Sequence, residues 1–385
     1  MSVPLCYCTN VHPCRSAAEV GRVLDAFALP VRDRAGFDIA VGLWLPAVAV
    51  AETLAAPDAQ TGLRHALDAR SLTCHTLNAF PFGDFHGSRV KEQVYLPDWS
   101  DRRRLDYTAD CARLLAGLLP DGVDGSISTL PLGFKPADRQ PGFLAAAIGQ
   151  LLDLAAGLAR LRAETGRTIR LAIEPEPFCL VETTAETVAF FAQLWDAAEA
   201  AGQGSAAREH LGVCYDVCHQ AVEFEDAATA IGGLQAAGIR INKVQISCAI
   251  QLDDPGDPAA RAALAAFAEP RYLHQTMALT ADGRILREVD LSPALAEEPP
   301  EAWRLARTWR THFHVPVDAE RIGPLHTTRH ELRKALAAID RLDYRPHLEV
   351  ETYTWPVLPG AAPADIVAGL ARELIATRGL LGRSS

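Results

Sequence analysis

Acidic, imidazole and amide side chains follow apolar runs at five places in this chain. The runs are IRLAIEPEP, LGVCYDVCHQ, INKVQIS, WRTHFHVP and HLEVETYTW. Strands buried on both faces read as continuous apolar stretches, so a polar residue at the end marks where the chain leaves the core. Carboxylates and imidazoles together suit a divalent ion such as Mn, Zn, Fe or Mg. The pattern therefore predicts parallel strands that bring metal ligands to one end of a barrel.

Two of these runs carry closely spaced acids or an acid and a histidine. Asp216 and His219 are three residues apart, so both can bind metal in one cavity if the chain turns there. The alternative is that Asp216 begins a helix and His219 lies in its first turn. Glu174 and Glu176 flank Pro175 and point to one side if the chain stays extended. We expect Glu174 to be a metal ligand and proton carrier and Glu176 to contact substrate, although one of them being an ordinary solvated carboxylate is the alternative.

Alternation also pairs the polar residues of two other runs. His312 and His314 point the same way and make a metal-binding arm, unless one of them serves to donate to a backbone carbonyl. Glu349 and Glu351 must both face the barrel axis, because a charged pair against the helical layer would be costly. We expect Glu351, nearer the strand end, to be a ligand and a catalytic group, and Glu349 to contact substrate.

The run INKVQIS places a lysine and an amide on one strand. A buried lysine is costly unless it is paired or used in chemistry, so Lys243 is a candidate acid or base. Gln245 can give its carbonyl oxygen to a metal, or it can simply form a hydrogen bond inside the barrel.

Polar residues early in the chain complete the predicted cavity. Asn10 and His12 end the first predicted strand, and His75 and Asn78 lie on the third. We expect these four, and His86 on a long aromatic loop, to contact substrate. The alternatives are hydrogen-bonded core positions for the first four and a solvated loop position for His86.

Strands and helices alternate along the whole chain. β-Branched and apolar runs predict eight strands, at 5–10, 37–45, 72–78, 125–130, 169–174, 211–216, 241–247 and 347–352. Helical patterns occupy 17–27, 101–119, 143–165, 185–201, 223–238 and 329–339. These elements predict a TIM (β/α)8 barrel, and the alternative, a doubly wound sheet, lacks a glycine-rich phosphate loop.

The predicted barrel is a single domain, 1–385, with two insertions. Residues 79–99 form a long aromatic loop, and 253–311 separate strands seven and eight. The second insertion contains YLHQTMALTADGRILREVDL, which predicts a hairpin turning at Asp282 and Gly283. We expect it to form a small cap beside the barrel mouth.

Composition excludes several function classes. The 385 residues carry a formal charge of −11, which argues against nucleic acid as a partner. No secretory signal or membrane span is expected, since the best apolar candidate, 39–51, is short and interrupted by Gly42 and Pro46. Nine scattered cysteines suit a reducing compartment, so we predict a cytoplasmic protein.

Longer motifs resemble a known family. YCTNVHP, LNAFPFGDFHGSRVKEQVYLPDW, IEPEP, CYDVCH, KVQIS, EPRYLHQ, HFHVP and LEVETYTW are similar, in this order, to the xylose isomerase-like barrel superfamily, and most closely to EboE-type metabolite traffic proteins of bacterial biosynthetic operons. The resemblance implies one divalent metal held by Glu174, Asp216, Gln245 and Glu351. Gln245 departs from the pattern, because many epimerases have histidine there.

Three functions are compatible with these residues. The first is a sugar or cyclitol isomerase or epimerase of an Ebo-type pathway, in which metal chelates adjacent oxygens while Glu174 and Glu351 pass a proton across an enediolate. The second is a non-catalytic carrier of a small polar metabolite. The third is hydrolysis of abasic DNA, because the related endonucleases use a cluster that Asp216, His219, His312 and His314 resemble. The sequence does not indicate an oligomeric state.

Overall fold

The structure is a computed structural model that describes residues 3–135 and 141–382. Its strands, in chain order, are β1 (Cys6–Cys8), β2 (Ala40–Trp44), β3 (Thr76–Asn78), β4 (Gly125–Thr129), β5 (Ile169–Ile173), β6 (Leu211–Asp216), β7 (Ile241–Ile246), β8 (Ile250–Leu252), β9 (Thr276–Leu279), β10 (Ile285–Glu288), β11 (Thr308–Thr311), β12 (Arg321–Ile322), β13 (Leu325–Thr327) and β14 (His347–Val350).

Eight parallel strands close into a barrel. Their order is β1-β14-β7-β6-β5-β4-β3-β2, and β2 pairs with β1 to close the ring. Every predicted strand is present, and each ends within a few residues of its expected bounds. Because the strands are buried on both faces, they read as the continuous apolar runs from which they were predicted. The prediction of a TIM (β/α)8 barrel is confirmed.

Helices surround the barrel. They are α1 (Ala17–Val23), α2 (Leu29–Ala35), α3 (Ala47–Ala55), α4 (Pro57–Asp68), α5 (Arg102–Leu118), α6 (Phe143–Thr165), α7 (Thr184–Ala200), α8 (Gly204–His210), α9 (Val217–Val222), α10 (Ala227–Ala236), α11 (Pro258–Ala265), α12 (Pro293–Glu297), α13 (Glu301–Arg304), α14 (Arg329–Ile339) and α15 (Ile366–Leu380). The helix predicted from residue 223 begins later, because the Asp226 side chain caps α10 by accepting a hydrogen bond from the Thr229 amide.

One described helix, α6, is long and apolar enough to cross a membrane by length and composition alone. No membrane span was expected from the sequence. Leu151, Leu154 and Leu158 on this helix are buried, and α6 packs against α5 and α8. Since a helix facing a barrel core meets the same criterion, this is weak evidence for a membrane span.

A second sheet stands between β7 and α14. We call it the insertion sheet; it is antiparallel, with the order β10-β9-β11-β8-β13-β12. It uses strands on both sides of the predicted 253–311 insertion, from Ile250 to Thr327. The run WRTHFHVP belongs here, in β11 and the residues after it, so the expectation that all five ligand-ending runs are parallel barrel strands is wrong for this one. Its apolar residues are buried by the insertion sheet rather than by the barrel.

The long aromatic loop is attached to the insertion. The backbone amides of Val90 and Lys91 both donate to the Arg271 carbonyl at 2.8 Å. The Lys91 ammonium donates to the Glu269 and Tyr272 carbonyls and to the Asp290 carboxylate, at 2.6–2.9 Å. The predicted hairpin is formed by β9 and β10, with Gly283 at a positive φ of 85° in its turn.

Candidate metal centre

Four segments meet at one end of the barrel. Glu174 directly follows β5, Asp216 is the last residue of β6, and Glu351 directly follows β14. These are the C-terminal ends of parallel strands, where the active sites of TIM barrels lie. His312 and His314 reach the same place from the insertion sheet, because the His312 amide bonds to the Gln275 carbonyl and the Val315 amide to the Cys248 carbonyl just beyond β7.

Three carboxylates converge at this point. One oxygen from each of Glu174, Asp216 and Glu351 lies within 4.8 Å of the other two, and all three residues are buried. Asp216 Oδ1 accepts hydrogen bonds from the His219 amide at 3.0 Å and the Ser247 hydroxyl at 2.8 Å. Asp216 is therefore also the cap of α9, as the alternative reading expected. Its Oδ2 atom and Glu174 Oε2 form no hydrogen bond within the described chain.

Two asparagines hold the third carboxylate. The side-chain amides of Asn10 and Asn78 each donate to Glu351 Oε1 at 2.8 Å. The Asn78 carbonyl oxygen accepts from the Phe80 amide, which fixes the orientation of that side chain. Both asparagines line the cavity, and their contact in the structure is with Glu351.

Three histidines direct their Nε2 atoms towards the cluster. His219 Nδ1 lies 3.0 Å from the Pro175 carbonyl oxygen, and His314 Nδ1 lies 2.7 Å from the Glu351 carbonyl oxygen. A carbonyl can only accept, so each Nδ1 carries the proton and each Nε2 keeps its lone pair. His314 Nε2 is 3.7 Å from Asp216 Oδ2, and His219 Nε2 is 3.8 Å from the same oxygen.

The third imidazole is oriented by Gln275. His312 Nδ1 lies 2.6 Å from Gln275 Oε1. The Gln275 amide nitrogen faces the Tyr95 hydroxyl at 2.9 Å, Glu176 Oε1 at 3.1 Å and the Pro177 carbonyl at 3.3 Å. A carboxylate and a carbonyl need a donor, so the amide oxygen must face His312. Oxygen partners on Nδ1 are the arrangement that orients metal-binding histidines in proteins.

Burial and mutual repulsion shift the pKa values of these groups. Burial, and then the neighbouring Glu351 and Asp216 charges, raise the pKa of Glu174 well above its usual value. Burial, and then Asp216 and Glu349, do the same to the pKa of Glu351. Burial lowers the pKa of His219 to about 4 and lowers the pKa of His312 well below its usual value. The imidazoles are therefore neutral at pH 7, as ligands must be. The repulsion between the carboxylates is relieved by protonation or by a bound cation.

Glu176 forms the edge of the cluster nearest the aromatic loop. Its Oε1 atom accepts from the Tyr95 hydroxyl at 2.8 Å and lies 3.7 Å from His312 Nδ1. Burial raises the pKa of Glu176 to about 7, although hydrogen bonds from Tyr95 and Gln275 oppose this shift. Glu176, His219 and His312 form a further group of potential ligands, which shares His219 with the group of Asp216, His219 and His314.

The cluster forms the floor of a cavity with an empty volume of about 520 Å³, counting its opening to solvent. Of the predicted site residues, those that line it are Asn10, Asn78, Glu174, Glu176, His219, His312, His314 and Glu351. Asp216 lies directly behind them, in contact with His219 and His314.

Three predicted residues are buried in the barrel and are not among the described residues that line the cavity. Lys243 Nζ is 2.6 Å from Glu349 Oε2, and both side chains are fully buried beneath the cavity. Burial alone would lower the pKa of Lys243, but the Glu349 charge raises it, so the lysine stays protonated. Gln245 is the register neighbour of Asp216 on β6 and of Glu349 on β14. Neither of its amide atoms has a hydrogen-bond partner among the described residues.

Three predicted histidines are also away from the cavity. His12 stacks on Phe27 with ring centroids 3.9 Å apart, and His75 packs edge-on against His347 in the barrel interior. His86 lies behind Phe85, in a neighbouring groove, with its ring against Trp44. The structure does not bring any of the three to the cluster.

Other residues at the site were not identified from the sequence. Gln275 forms hydrogen bonds with Glu176 and His312, and Tyr95 donates to Glu176. Ser247 donates to Asp216. Gln275 ends the motif EPRYLHQ, and Tyr95 lies in the aromatic loop, so both motifs were noticed without a role. A polar residue at the start of a hairpin strand was the available signal for Gln275.

Comparisons of sequence give no relative. No protein-family model matches the chain, and no curated protein matches it. The described geometry must therefore be compared with solved structures.

Solved structures share the fold at low sequence identity. A xylose isomerase-like TIM barrel protein from Mycobacterium smegmatis in complex with magnesium has a TM-score of 0.53 and 13% identity, covering 99% of this chain and 97% of that one. D-Psicose 3-epimerase in the presence of D-fructose gives 0.52 and 14%, covering 99% and 100%. The IolI protein with a bound zinc atom gives 0.51 and 11%, covering 99% and 98%. At such identities the likeness concerns the fold alone: this chain has the fold of the xylose isomerase-like TIM barrels.

Proposed function

We propose that the cluster binds a divalent metal ion through Glu174, Asp216, Glu351 and His314. His219 and His312 are further potential ligands next to these four. The observation that carries the proposal is the convergence of unpartnered, buried ligand atoms: Glu174 Oε2, Asp216 Oδ2 and His314 Nε2. Buried charge without a partner is costly, and a cation would remove that cost. His314 supplies the nitrogen that the resemblance expects at Gln245. A mixed set of carboxylates and imidazoles suits Mn, Fe or Zn better than Mg.

We further propose that the protein is a sugar or cyclitol isomerase or epimerase. A bound divalent metal would polarise adjacent hydroxyl and carbonyl oxygens and so acidify the carbon between them. With Oε2 of Glu174 bound to the metal, its other carboxylate oxygen can take a proton from that carbon. Glu351 is held by Asn10 and Asn78 and can return a proton. Burial and the neighbouring carboxylates raise the pKa of both carboxyls, and a raised pKa favours a carboxyl as a carrier of protons.

The test replaces one proton carrier while keeping its shape. Glu351→Gln retains an oxygen for the two asparagine amides, so the fold and these contacts should survive. We expect at least about 100-fold slower exchange of deuterium into bound ketose, the range of acid-base catalysis. Glu298→Gln, an exposed carboxyl, is the matched control and should exchange at the wild-type rate. Unchanged exchange in Glu351→Gln would remove the proposed mechanism, and protein purified without chelator that contains no metal would remove the metal centre.

A metabolite carrier of the EboE type is the second candidate. Gln245, where many epimerases have histidine, favours it. A carrier would bind metal and cargo yet exchange no deuterium.

In either case we propose that the insertion sheet and the aromatic loop cover the mouth of the barrel, because Tyr95 and Gln275 from these segments bond to Glu176. Hydrolysis of abasic DNA is less favoured, since the formal charge is −11.

The surroundings of the protein are also a proposal. All nine cysteines are unpaired and buried, which suits a reducing, cytoplasmic location.

A further inference from the structure

The cavity changes its chemistry with distance from the metal cluster. Its floor is formed by the carboxylates and imidazoles described above. The walls beyond the floor are aliphatic and aromatic, and they include Phe80, Phe85, Val94, Tyr272, Leu273 and Tyr353. A ligand that fills the cavity therefore meets polar groups at one end and apolar side chains at the other.

Three aromatic rings form the main apolar surface. Phe85 lies 4.9 Å from Tyr272 and 5.3 Å from Tyr353, measured between ring centroids, and Tyr272 lies 5.0 Å from Tyr353. The Tyr272 hydroxyl donates to the Phe85 carbonyl at 3.2 Å, so its polar end is occupied. Tyr353 continues this surface to the metal cluster, because its ring is 4.8 Å from that of His314.

No free cation faces the cavity among its described lining residues. Lys91 is the one lysine or arginine in that lining. Its three ammonium protons are used by the Glu269 and Tyr272 carbonyls and by Asp290. Apart from the proposed metal ion, a phosphate group in the cavity would thus lack a charge partner, and it would face the buried carboxylates.

We infer that the substrate is amphipathic: an uncharged α-hydroxyketone head, which is the sugar- or cyclitol-like part of the proposed substrate, binds at the metal cluster and carries an apolar and preferably aromatic tail. This inference rests on the proposed function. The hydroxyl groups of a free sugar beyond its reacting carbons would be buried against the aromatic rings without hydrogen-bond partners, which is unfavourable. An aryl or alkyl tail instead gains from burial against Phe85, Tyr272 and Tyr353.

The test compares ligands that share a head and differ in the tail. Protein loaded with Co²⁺ is titrated with 1-hydroxypropan-2-one, 1-hydroxy-4-phenylbutan-2-one, dihydroxyacetone phosphate and D-fructose, and binding is followed by calorimetry and by the visible spectrum of cobalt. We expect the phenyl ketone to bind about 10- to 100-fold more tightly than 1-hydroxypropan-2-one, from the burial of one aromatic ring. Phe85→Ala should reduce the ratio of the two affinities about tenfold, through weaker binding of the phenyl ketone.

Phe82→Ala is the matched control. It lies on the same loop but packs against Tyr107 and does not line this cavity, so the preference should persist. Equal affinity for the two ketones, tighter binding of the phosphate or of D-fructose, or no binding of any probe would overturn the inference. Failure of the proposed function is a different result: selective binding of the phenyl ketone without deuterium exchange keeps the amphipathic ligand and removes the enzyme.

Discussion

The Nε2 atoms of His219 and His312 lie 3.2 Å apart. Each ring donates its Nδ1 proton to an oxygen, of Pro175 in one case and of Gln275 in the other. Since both rings are neutral, neither Nε2 atom carries a proton, and the two lone pairs face each other. Such a pair of atoms is unfavourable unless a cation lies between or beside them. The Pro175 carbonyl and the Gln275 side-chain oxygen fix the proton of each ring on Nδ1, and these acceptors thus leave both Nε2 atoms unprotonated.

Gln275→Leu tests this arrangement through its support. The change removes the acceptor of His312 Nδ1–H and frees that ring to turn or to exchange its tautomer. We expect metal affinity to fall about 10- to 100-fold, the usual effect of removing a partner of a metal-binding histidine. Competition with a fluorescent chelator measures the affinity. Gln275→Glu keeps an oxygen for His312 but places its second oxygen against Glu176 Oε1 and the Pro177 carbonyl, so it should restore only part of the affinity.

The control for that experiment is Gln251→Leu. Gln251 lies on β8 of the same insertion sheet, and it bonds to Asp253 and Arg310 instead of to the cluster. Wild-type metal affinity in Gln275→Leu, or an equal loss in Gln251→Leu, would show that Gln275 has no positioning role.

Metal binding should depend steeply on pH. The pKa values of Glu174, Glu351 and Glu176 are raised, that of Glu176 to about 7. These carboxyls therefore hold protons that a metal ion must displace when it binds. We expect proton release on metal binding at pH 7, and an affinity that rises about tenfold per pH unit for each proton displaced. Calorimetry in buffers of different ionisation enthalpy counts the protons.

The same groups set the stability of the metal-free protein. Between the usual glutamate pKa of 4.5 and about 7, the folded protein holds a proton on Glu176 that the unfolded chain has lost. This contribution to stability is complete below pH 4.5 and is lost as pH rises towards 7. We therefore expect metal to raise Tm more at pH 8 than at pH 6, and an equal rise at both would contradict the assignment.

The sequence predicts the barrel and half of the metal centre well, for one physical reason. Parallel strands must end at the same rim, so an acid after a buried apolar run, such as Glu174, Asp216 or Glu351, is placed without knowing its neighbours. His312 and His314 were found by their spacing. The five-run pattern grouped their run with the barrel strands, although none of the eight predicted strands contained it, because burial in a second sheet produces the same apolar run as burial in a barrel.

Depth along the barrel axis is what the sequence does not reveal. Alternation places Lys243, Gln245 and Glu349 on the inner face, but it does not say that Lys243 and Glu349 pair beneath the cavity. Gln275 was missed for a related reason. It reaches the cluster from a hairpin more than fifty residues away from the nearest ligand-bearing barrel strand, and only the docking of the insertion brings it there.

Lys243→Met tests whether the buried lysine stabilises the barrel. Removal of the ammonium leaves Glu349 buried without its partner, so we expect a loss of about 3–5 kcal/mol in the free energy of unfolding. Lys243→Met with Glu349→Gln removes both charges and should lose much less. Urea unfolding measures both, and metal affinity in the double variant should stay near wild type. A small loss in the single variant, with exchange activity abolished, would instead favour a catalytic lysine.

Gly42 provides the space that the Glu349 carboxylate occupies. A Cβ atom added at Gly42 would lie 1.4 Å from Glu349 Oε1 and 3.2 Å from Thr76 Cγ2. Because β2 is tied on both sides in a closed barrel, the backbone cannot move away without breaking strand pairs. We expect Gly42→Ala to lower the free energy of unfolding by about 3 kcal/mol, at the upper end of the usual cost of overpacking.

The cause can be isolated by a double-mutant cycle. In a Glu349→Ala background the clash with the carboxylate is absent, so Gly42→Ala should cost less than about 1 kcal/mol there. Gly149→Ala in α6 is the matched control, since no atom lies within 4 Å of its added Cβ, and it should stabilise the helix by up to about 1 kcal/mol. If Gly42→Ala costs the same with and without Glu349, the carboxylate does not extend to β2, and the buried pair with Lys243 would have to lie elsewhere in the barrel.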